Sequence, residues 1–289
     1  MLDAKKTTIR ALSGGVYVLL IILACCMQSL GVALLALLFG ILGISEFRKM
    51  RFGSEGVSMA MNLYNMVGGA CLIFAPVPTM PLPYAFALLW VLWLIGRMIL
   101  TIYSGHQHPE KVFAVDMAAQ IYIALPMALM TYAGLHLSAM GSSCLPLLAM
   151  FIIIWVNDTG AFIVGSIFGR HRLLERVSPK KSWEGFWGGA IFAIVVAAAM
   201  GAFWPALAIG SICNHTLFWA IGGLIVALAS TFGDLFESVI KRNLNLKDSG
   251  NLIPGHGGIL DRIDSLLMVI PAMTVYYIIY SSFFSNQII

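Results

Sequence analysis

The stretch that decides how this chain folds and reacts is residues 233–264, GDLFESVIKRNLNLKDSGNLIPGHGGILDRID. It contains five of the 13 acidic residues, four of the 17 Lys and Arg residues, and a glycine-rich turn at 254–258. Carboxylates can hold a divalent cation, and bare backbone N–H groups at glycines can hold phosphate. Because the surrounding sequence is mostly apolar, this concentration of charge and glycine predicts a phosphoryl- or nucleotidyl-transfer site at a membrane surface.

The composition excludes an ordinary soluble fold. Of the 289 residues, 60% are hydrophobic and 10% are charged, whereas soluble domains carry about 25% charged residues. The apolar runs are long and continuous rather than alternating, which is typical of membrane helices and not of a barrel. We therefore expect an all-α fold, a polytopic transmembrane helical bundle.

Hydrophobic runs predict about nine spans. They cover residues 11–27, 30–45, 58–76, 83–103, 112–133, 144–167, 185–205, 214–236 and 263–284. The first two are short and nearly contiguous, so a single kinked or re-entrant element is an alternative for them.

The charge distribution predicts the topology. With nine spans, the N-terminus and every charged connection fall on one side, and the positive-inside rule makes that side the cytoplasm. Polar groups inside the spans are few in residues 1–110, expected to be a scaffold. They are frequent further on, so 111–289 is expected to be the catalytic part, with cytoplasmic loops at 168–184 and 237–262.

Four acidic residues are the predicted centre of the site. Asp158 and Asp234 lie inside predicted spans, where an ionised carboxylate costs at least ~2.5 kcal/mol unless it has a partner or a water-filled cavity. Asp261 and Asp264 open the last span three residues apart and can share a helix face. A shared polar chamber is the functional interpretation. Internal salt bridges for the first pair and helix capping by the second pair are the structural alternatives.

Two further segments carry groups suited to phosphate. Glycines at 257 and 258 let backbone N–H groups approach an anion before the last helix begins, although such a turn alone is more often a plain loop. The most basic segment, 170–181, ends in a sequence whose hydroxyl and ammonium groups could hold a triphosphate. Its candidate residues are Ser178, Lys180, Lys181 and Ser182. Generic attraction to anionic lipid is the alternative for this cluster.

Three interrupted patterns in the central stretch, Ser238-x-x-Lys241-Arg242, 247–250 and 254–264, closely resemble the signature of bacterial phosphatidate cytidylyltransferases, the CDP-diacylglycerol synthases. The segments 157–161, 168–170 and 178–185 are also similar to that family. The resemblance is strong over about 150–270, and the N-terminal spans match only in being hydrophobic.

The resemblance implies a helical enzyme of the bacterial inner membrane, facing the cytoplasm, that converts CTP and phosphatidate to CDP-diacylglycerol and pyrophosphate. It implies that the activity depends on Mg²⁺ at a metal centre. The resemblance leaves open whether that centre contains a second cation such as K⁺. Membrane lipid is an expected partner, nucleic acid is not, and a homodimer is left open.

The residue assignments combine this resemblance with the chemistry of the side chains. The expected catalytic residues are Asp234, Asp261, Lys241, Arg242 and Asp264. The expected metal ligands are Asp234, Asp261 and Asp158. The expected substrate-binding residues are Ser178, Lys180, Lys181, Ser182, Lys247, His256, Gly257, Gly258 and Arg262.

Two other functions fit parts of the pattern. A CTP-dependent lipid-alcohol kinase would also need Mg²⁺ and basic loops. A transporter of an anionic solute would account for intramembrane Asp residues and broken helices, but it would not need a charged site confined to one face.

Overall fold

The computed structural model describes residues 4–53, 56, 58–78, 82, 84–136, 144–204, 207, 214–253, 255 and 257–284. These residues are mostly helical, because an apolar segment in a membrane must satisfy its backbone hydrogen bonds within itself. The helices are α1 (Ala4–Cys26), α2 (Gln28–Phe52), α3 (Met59–Phe74), α4 (Ala85–Ile102), α5 (Pro109–Ala119), α6 (Leu125–His136), α7 (Leu145–Phe168), α8 (Trp183–Phe203), α9 (His215–Asn243) and α10 (Leu260–Phe284). A π-helical turn, Gln120–Ala124, joins α5 and α6 into one continuous helix.

The helices confirm the all-α polytopic architecture. Within the described ranges there are nine continuous helices, and each corresponds to one predicted span. Seven of them are long and apolar enough to cross a membrane, and the apolar parts Leu12–Cys26 and Met59–Phe74 are shorter. The expectation that all nine cross stays a prediction.

Two connections differ from the sequence-based expectation. The loop predicted over 237–262 is shorter, because α9 continues to Asn243 and places the basic pair at 241–242 on a helix. The loop predicted over 168–184 contains a small antiparallel hairpin, with strands β1 (Arg172–Leu174) and β2 (Ser178–Ser182). The second span also ends later than expected, since α2 extends to Phe52.

The chain divides into two compact units. Unit 1 comprises residues Met1–Leu135 and Asp248–Ile263, and unit 2 comprises His136–Lys247 and Asp264–Ile289. The predicted division between 110 and 111 into scaffold and catalytic parts stays a prediction.

Unit 1 is held together by a buried charge network. Asp116 on α5 is fully buried and accepts hydrogen bonds from Arg48 Nε at 2.7 Å and Arg97 Nε at 2.6 Å. The second Arg48 nitrogen, Nη1, donates to Asn62 Oδ1 at 3.3 Å. These contacts tie α2, α3, α4 and α5 together, because a buried charge is stable only when paired. Asp116 therefore bonds neighbouring helices.

In unit 2 helices α7, α8 and α9 approach closely through small residues. A Cβ atom placed at Gly189 on α8 would lie 2.6 Å from the Asn157 carbonyl oxygen of α7. Only glycine permits this backbone distance. The close packing holds Asn157 buried and presents the next residue, Asp158, beside α9.

Candidate active site

Three carboxylates from separate helices form a cluster in unit 2. Asp158 lies on α7, Asp234 on α9 and Asp264 in the first turns of α10. The carboxylate of Asp234 interacts electrostatically with those of both Asp158 and Asp264. Asp158 Oδ1 also accepts a hydrogen bond of 3.4 Å from Ser230 Oγ, one turn before Asp234 on α9. Because ionised carboxylates repel one another, the cluster requires cations beside it.

The position of Asp264 depends on the glycine that precedes Asp234. A Cβ atom at Gly233 would lie 2.6 Å from the Asp264 carbonyl oxygen and 3.2 Å from Ser265 Cα. The hydroxyl of Ser265 donates to the Ser230 carbonyl at 3.3 Å. The missing side chain therefore lets the backbones of α9 and α10 approach closely beside Asp234 and Asp264.

Lysine side chains supply the compensating charge. Lys181, at the end of β2, places Nζ 2.6 Å from Asp234 Oδ2, and its charge also acts on Asp158. Lys241 on α9 forms a buried ion pair with Glu237 at 2.8 Å, one helical turn away. The cluster thus combines acidic and basic side chains, which is the composition that binding of a metal–polyphosphate pair requires.

The hairpin that carries Lys181 is fastened to the start of α8. Ser182 is the N-cap of α8, and its Oγ accepts a hydrogen bond from the Gly185 N–H at 3.1 Å. Glu184 accepts hydrogen bonds from the backbone N–H groups of Arg170 and His171, and the His171 ring lies 2.6 Å from Glu184 Oε1. The segment that carries Lys181 is therefore a strand followed directly by a capped helix.

In unit 1 the glycine-rich loop folds around Asp261. Asp261 Oδ2 accepts hydrogen bonds from the Ser249 N–H at 3.0 Å and the Gly258 N–H at 2.9 Å, and it lies 2.9 Å from Ser249 Oγ. Gly257 has a positive φ of 80°, and its carbonyl accepts from the Ile253 N–H at 2.9 Å to close a tight turn. Asp261 thus organises the loop, and its predicted metal role stays a prediction.

The structure locates the remaining predicted site residues as follows. Lys180, Lys247 and Arg262 are exposed, and Ser178 is half-buried on β2. The guanidinium group of Arg242 donates hydrogen bonds to two backbone carbonyls, those of Val177 at 3.4 Å and Leu246 at 3.0 Å. His256 lies outside the described residues.

The described residues do not form a complete metal-binding site by themselves. Among those residues no three His, Cys, Asp or Glu side chains are arranged to hold a metal ion. Mg²⁺ commonly binds through only one or two carboxylates together with substrate phosphates and water. The hard oxygen donors of the unit 2 cluster suit that mode of binding.

Sequence reasoning missed two acidic residues with structural roles. Glu46 on α2 is buried and accepts hydrogen bonds from the glycine-rich loop and from the start of α10. Glu237 is buried beside Lys241. Glu46 could have been identified from the sequence, because it lies at the end of an apolar run. An ionisable side chain in such a position usually has a functional role or a charged partner.

The fold and the cluster define a class of protein, a polytopic helical membrane protein with an acidic and basic site suited to phosphate chemistry. Family comparison is consistent with this class, since residues 8–280 match the model described as the cytidylyltransferase family. The chain belongs to the cytidylyltransferase family.

Individual relatives match over a shorter stretch. The chain is 46% identical over 131 residues to a phosphatidate cytidylyltransferase of Haemophilus influenzae, covering 45% of each chain. It is 39% identical over 134 residues to one of Staphylococcus epidermidis and 40% identical to one of Staphylococcus aureus, covering 46% of this chain and 48% of each relative. The aligned stretch spans about half the length of these curated relatives.

Proposed function

We propose that this protein transfers a cytidylyl group from CTP to phosphatidate, giving CDP-diacylglycerol and pyrophosphate for phospholipid biosynthesis. The observation that carries the proposal is the Lys181–Asp234 ion pair of 2.6 Å, set among the carboxylates of three apolar helices. Both substrates are polyanions and one is anchored in lipid, so such a site has the required charge and position. The names of the relatives support this choice of substrates.

We also propose that the enzyme lies in a bacterial inner membrane with the site facing the cytoplasm. In the topology expected from the sequence, the connections that carry Lys and Arg fall on the same side as the connection that contains the hairpin, and the positive-inside rule makes that side the cytoplasm. CTP is a cytoplasmic nucleotide, and the connections expected on the opposite side carry no Lys or Arg in the sequence.

Mg²⁺ is the proposed cofactor, with Asp234 as the central ligand and Asp158 and Asp264 beside it. Their oxygen donors fit a hard cation, and their mutual repulsion favours a positive charge between them. When bound, Mg²⁺ would neutralise charge on the phosphate oxygens of the substrates. A further cation such as K⁺ stays a prediction of the family resemblance.

The proposed reaction is a direct substitution at phosphorus. A phosphate oxygen of phosphatidate forms a bond to the α-phosphorus of CTP. The bond between the α-phosphorus and its bridging oxygen to the β-phosphate breaks, and the electron pair leaves on pyrophosphate. The attacking phosphate is already ionised near neutral pH, so the protein does not have to remove a proton. Positioning and charge stabilisation are the remaining tasks.

Lysine residues are proposed to stabilise the negative charge that develops on the leaving pyrophosphate. Lys181 can exchange its contact with Asp234 for the triphosphate, because an ammonium group is a mobile point charge on a flexible chain. Lys241 lies near Asp264 and contributes a second positive charge to the cluster. These two side chains are proposed to attract the leaving pyrophosphate, while the carboxylates hold the cation.

The test is a transfer assay with purified protein in detergent, phosphatidate, Mg²⁺ and CTP labelled at one phosphorus. Label at the α-phosphorus is expected to appear in lipid, and label at the γ-phosphorus is expected in pyrophosphate. Transfer of only the γ-label to lipid would instead identify a lipid-alcohol kinase, and uptake of an anion into vesicles without nucleotide would identify a transporter.

Variants test the assignment of the acids. Asp234→Asn and Asp261→Asn are each expected to lower turnover by about a hundredfold or more, the scale of a lost electrostatic stabiliser. Glu110→Gln is the matched control, since the Glu110 side chain is 66% exposed at the start of α5 and pairs only with His108 among the ion pairs of the described residues. Near-normal turnover in a folded Asp234→Asn protein would remove the acidic cluster from the mechanism.

A further inference from the structure

Glu46 is a buried carboxylate that binds the glycine-rich loop, although it lies more than two hundred residues away in sequence. It sits on α2 and is 8% exposed. Its Oε2 accepts a hydrogen bond from the Ile259 N–H at 3.0 Å, and its Oε1 accepts one from the Leu260 N–H at 3.0 Å. Oε1 also accepts from the Ser249 hydroxyl at 2.5 Å.

These bonds satisfy backbone groups that would otherwise be unpaired. The first N–H groups of a helix have no partner within it, and the positive end of the helix dipole attracts a carboxylate. Ile259 and Leu260 are buried at the start of α10. Glu46 therefore caps α10 from a distant helix, a role that the residues just before a helix usually perform.

The loop is shaped around this carboxylate. A Cβ atom at Gly258 would overlap Glu46 Oε1 and the Ser249 hydroxyl, and one at Gly250 would lie 2.7 Å from Glu46 Oε2. Both glycines are therefore needed for the backbone to approach the carboxylate. Gly258 of the predicted phosphate loop therefore serves, in part, to accommodate Glu46.

The Ser249 hydroxyl connects Glu46 to Asp261, one of the predicted catalytic residues. Ser249 Oγ lies 2.5 Å from Glu46 Oε1 and 2.9 Å from Asp261 Oδ2, and it accepts a hydrogen bond from the Asp261 N–H at 3.3 Å. Any displacement of Glu46 must move Ser249, and with it both the loop and Asp261.

We propose that Glu46 is a positioning residue that sets the glycine-rich loop and Asp261 in place for the reaction. The inference rests on the proposed function for its catalytic part, whereas its structural part stands on the contacts alone. Asp261 and Gly258 are the groups through which Glu46 acts, and Glu46 itself need not touch the substrates.

The experiment compares Glu46→Gln, Glu46→Ala and Ser249→Ala with wild type and with Glu110→Gln. Glutamine keeps one acceptor oxygen and introduces an NH₂ group that cannot accept from a backbone N–H, so this variant perturbs the loop with the least risk to folding. Backbone hydrogen–deuterium exchange is measured over 248–260 and over the other helices, and kcat and KM for CTP are measured in parallel.

We expect faster exchange confined to 248–260. We also expect a KM for CTP raised about tenfold, because the displaced loop would weaken its contact with the nucleotide by about one charge-assisted hydrogen bond. A merely structural role would reduce the amount of active protein, which lowers kcat and leaves KM unchanged. Glu110→Gln should match wild type in every measurement.

Three results would each contradict a different part of this reasoning. Unchanged exchange over 248–260 in folded Glu46→Gln and Glu46→Ala would overturn the positioning role. Faster exchange with wild-type kinetics would overturn its importance for the reaction. Absence of cytidylyl transfer in the wild-type protein would refute the proposed function instead, while the exchange data would still test the contacts of Glu46. If Glu46→Ala does not fold, Glu46→Gln and Ser249→Ala give the same discrimination.

Discussion

The crossing of α9 and α10 at Gly233 offers a sharp test, because a single methyl group should separate two of the clustered carboxylates. In Gly233→Ala the new Cβ would lie 2.6 Å from the Asp264 carbonyl oxygen and 3.2 Å from Ser265 Cα. Cβ atoms essentially never come within 3.0 Å of another atom, so the helices must part by about 0.4 Å. Overpacking of this kind costs about 1–3 kcal/mol.

A second glycine provides the matched control. Gly15 on α1 is exposed, and a Cβ atom there would meet nothing within 4 Å. Replacing glycine by alanine in a helix interior gains about 1 kcal/mol of helix propensity. Because Gly233→Ala and Gly15→Ala share that gain, the difference between their stabilities isolates the steric overlap.

Thermal unfolding in detergent and cytidylyl transfer are the two measurements. We expect the melting temperature of Gly233→Ala to lie several degrees below that of Gly15→Ala, since about 1 kcal/mol shifts it by about 2–4 °C for a domain of 150–250 residues. Turnover should fall about fivefold to tenfold, because a misplacement of about 1 Å can cost a hundredfold. Equal melting temperatures and equal turnover in the two variants would refute the idea that this close approach sets the cluster.

Substitutions at two further positions probe the stability of unit 1 and of the start of α8. Asp116→Asn should destabilise unit 1 by about 3–5 kcal/mol, because it leaves the buried guanidinium groups of Arg48 and Arg97 without a counter-charge; an unchanged thermal unfolding curve in detergent would contradict this. Ser182→Ala should cost about 1 kcal/mol through loss of the hydrogen bond that caps α8 at the Gly185 N–H. Ser182→Thr should restore stability, and a KM for CTP that rises in the alanine variant and recovers with threonine would support the predicted contact with substrate.

The helices could be predicted from the sequence because their cause is local. An apolar run of sufficient length has to satisfy its backbone hydrogen bonds internally, so each predicted span became a helix regardless of its neighbours. Charged side chains are expensive in hydrocarbon, so most basic residues lie in connections or towards helix ends. Arg97 lies inside α4 and is paired with Asp116. The concentration of acids, cations and glycines between 233 and 264 was likewise visible as composition.

The pairing of those groups could not be predicted, because it depends on which helices meet. The Lys181–Asp234 contact joins a hairpin strand to a helix more than fifty residues away, and the Ser249–Glu46 bond spans 203 residues. The hairpin itself was missed because its strands are three and five residues long and carry no apolar alternation. The sequence by itself determined that helices would form, where they would lie in the chain and which residues could serve phosphate chemistry. Only the tertiary structure decided that Glu46 would bind the glycine-rich loop and that Lys181 would face Asp234, because distances between residues far apart in the chain are set by the packing of helix backbones at glycines.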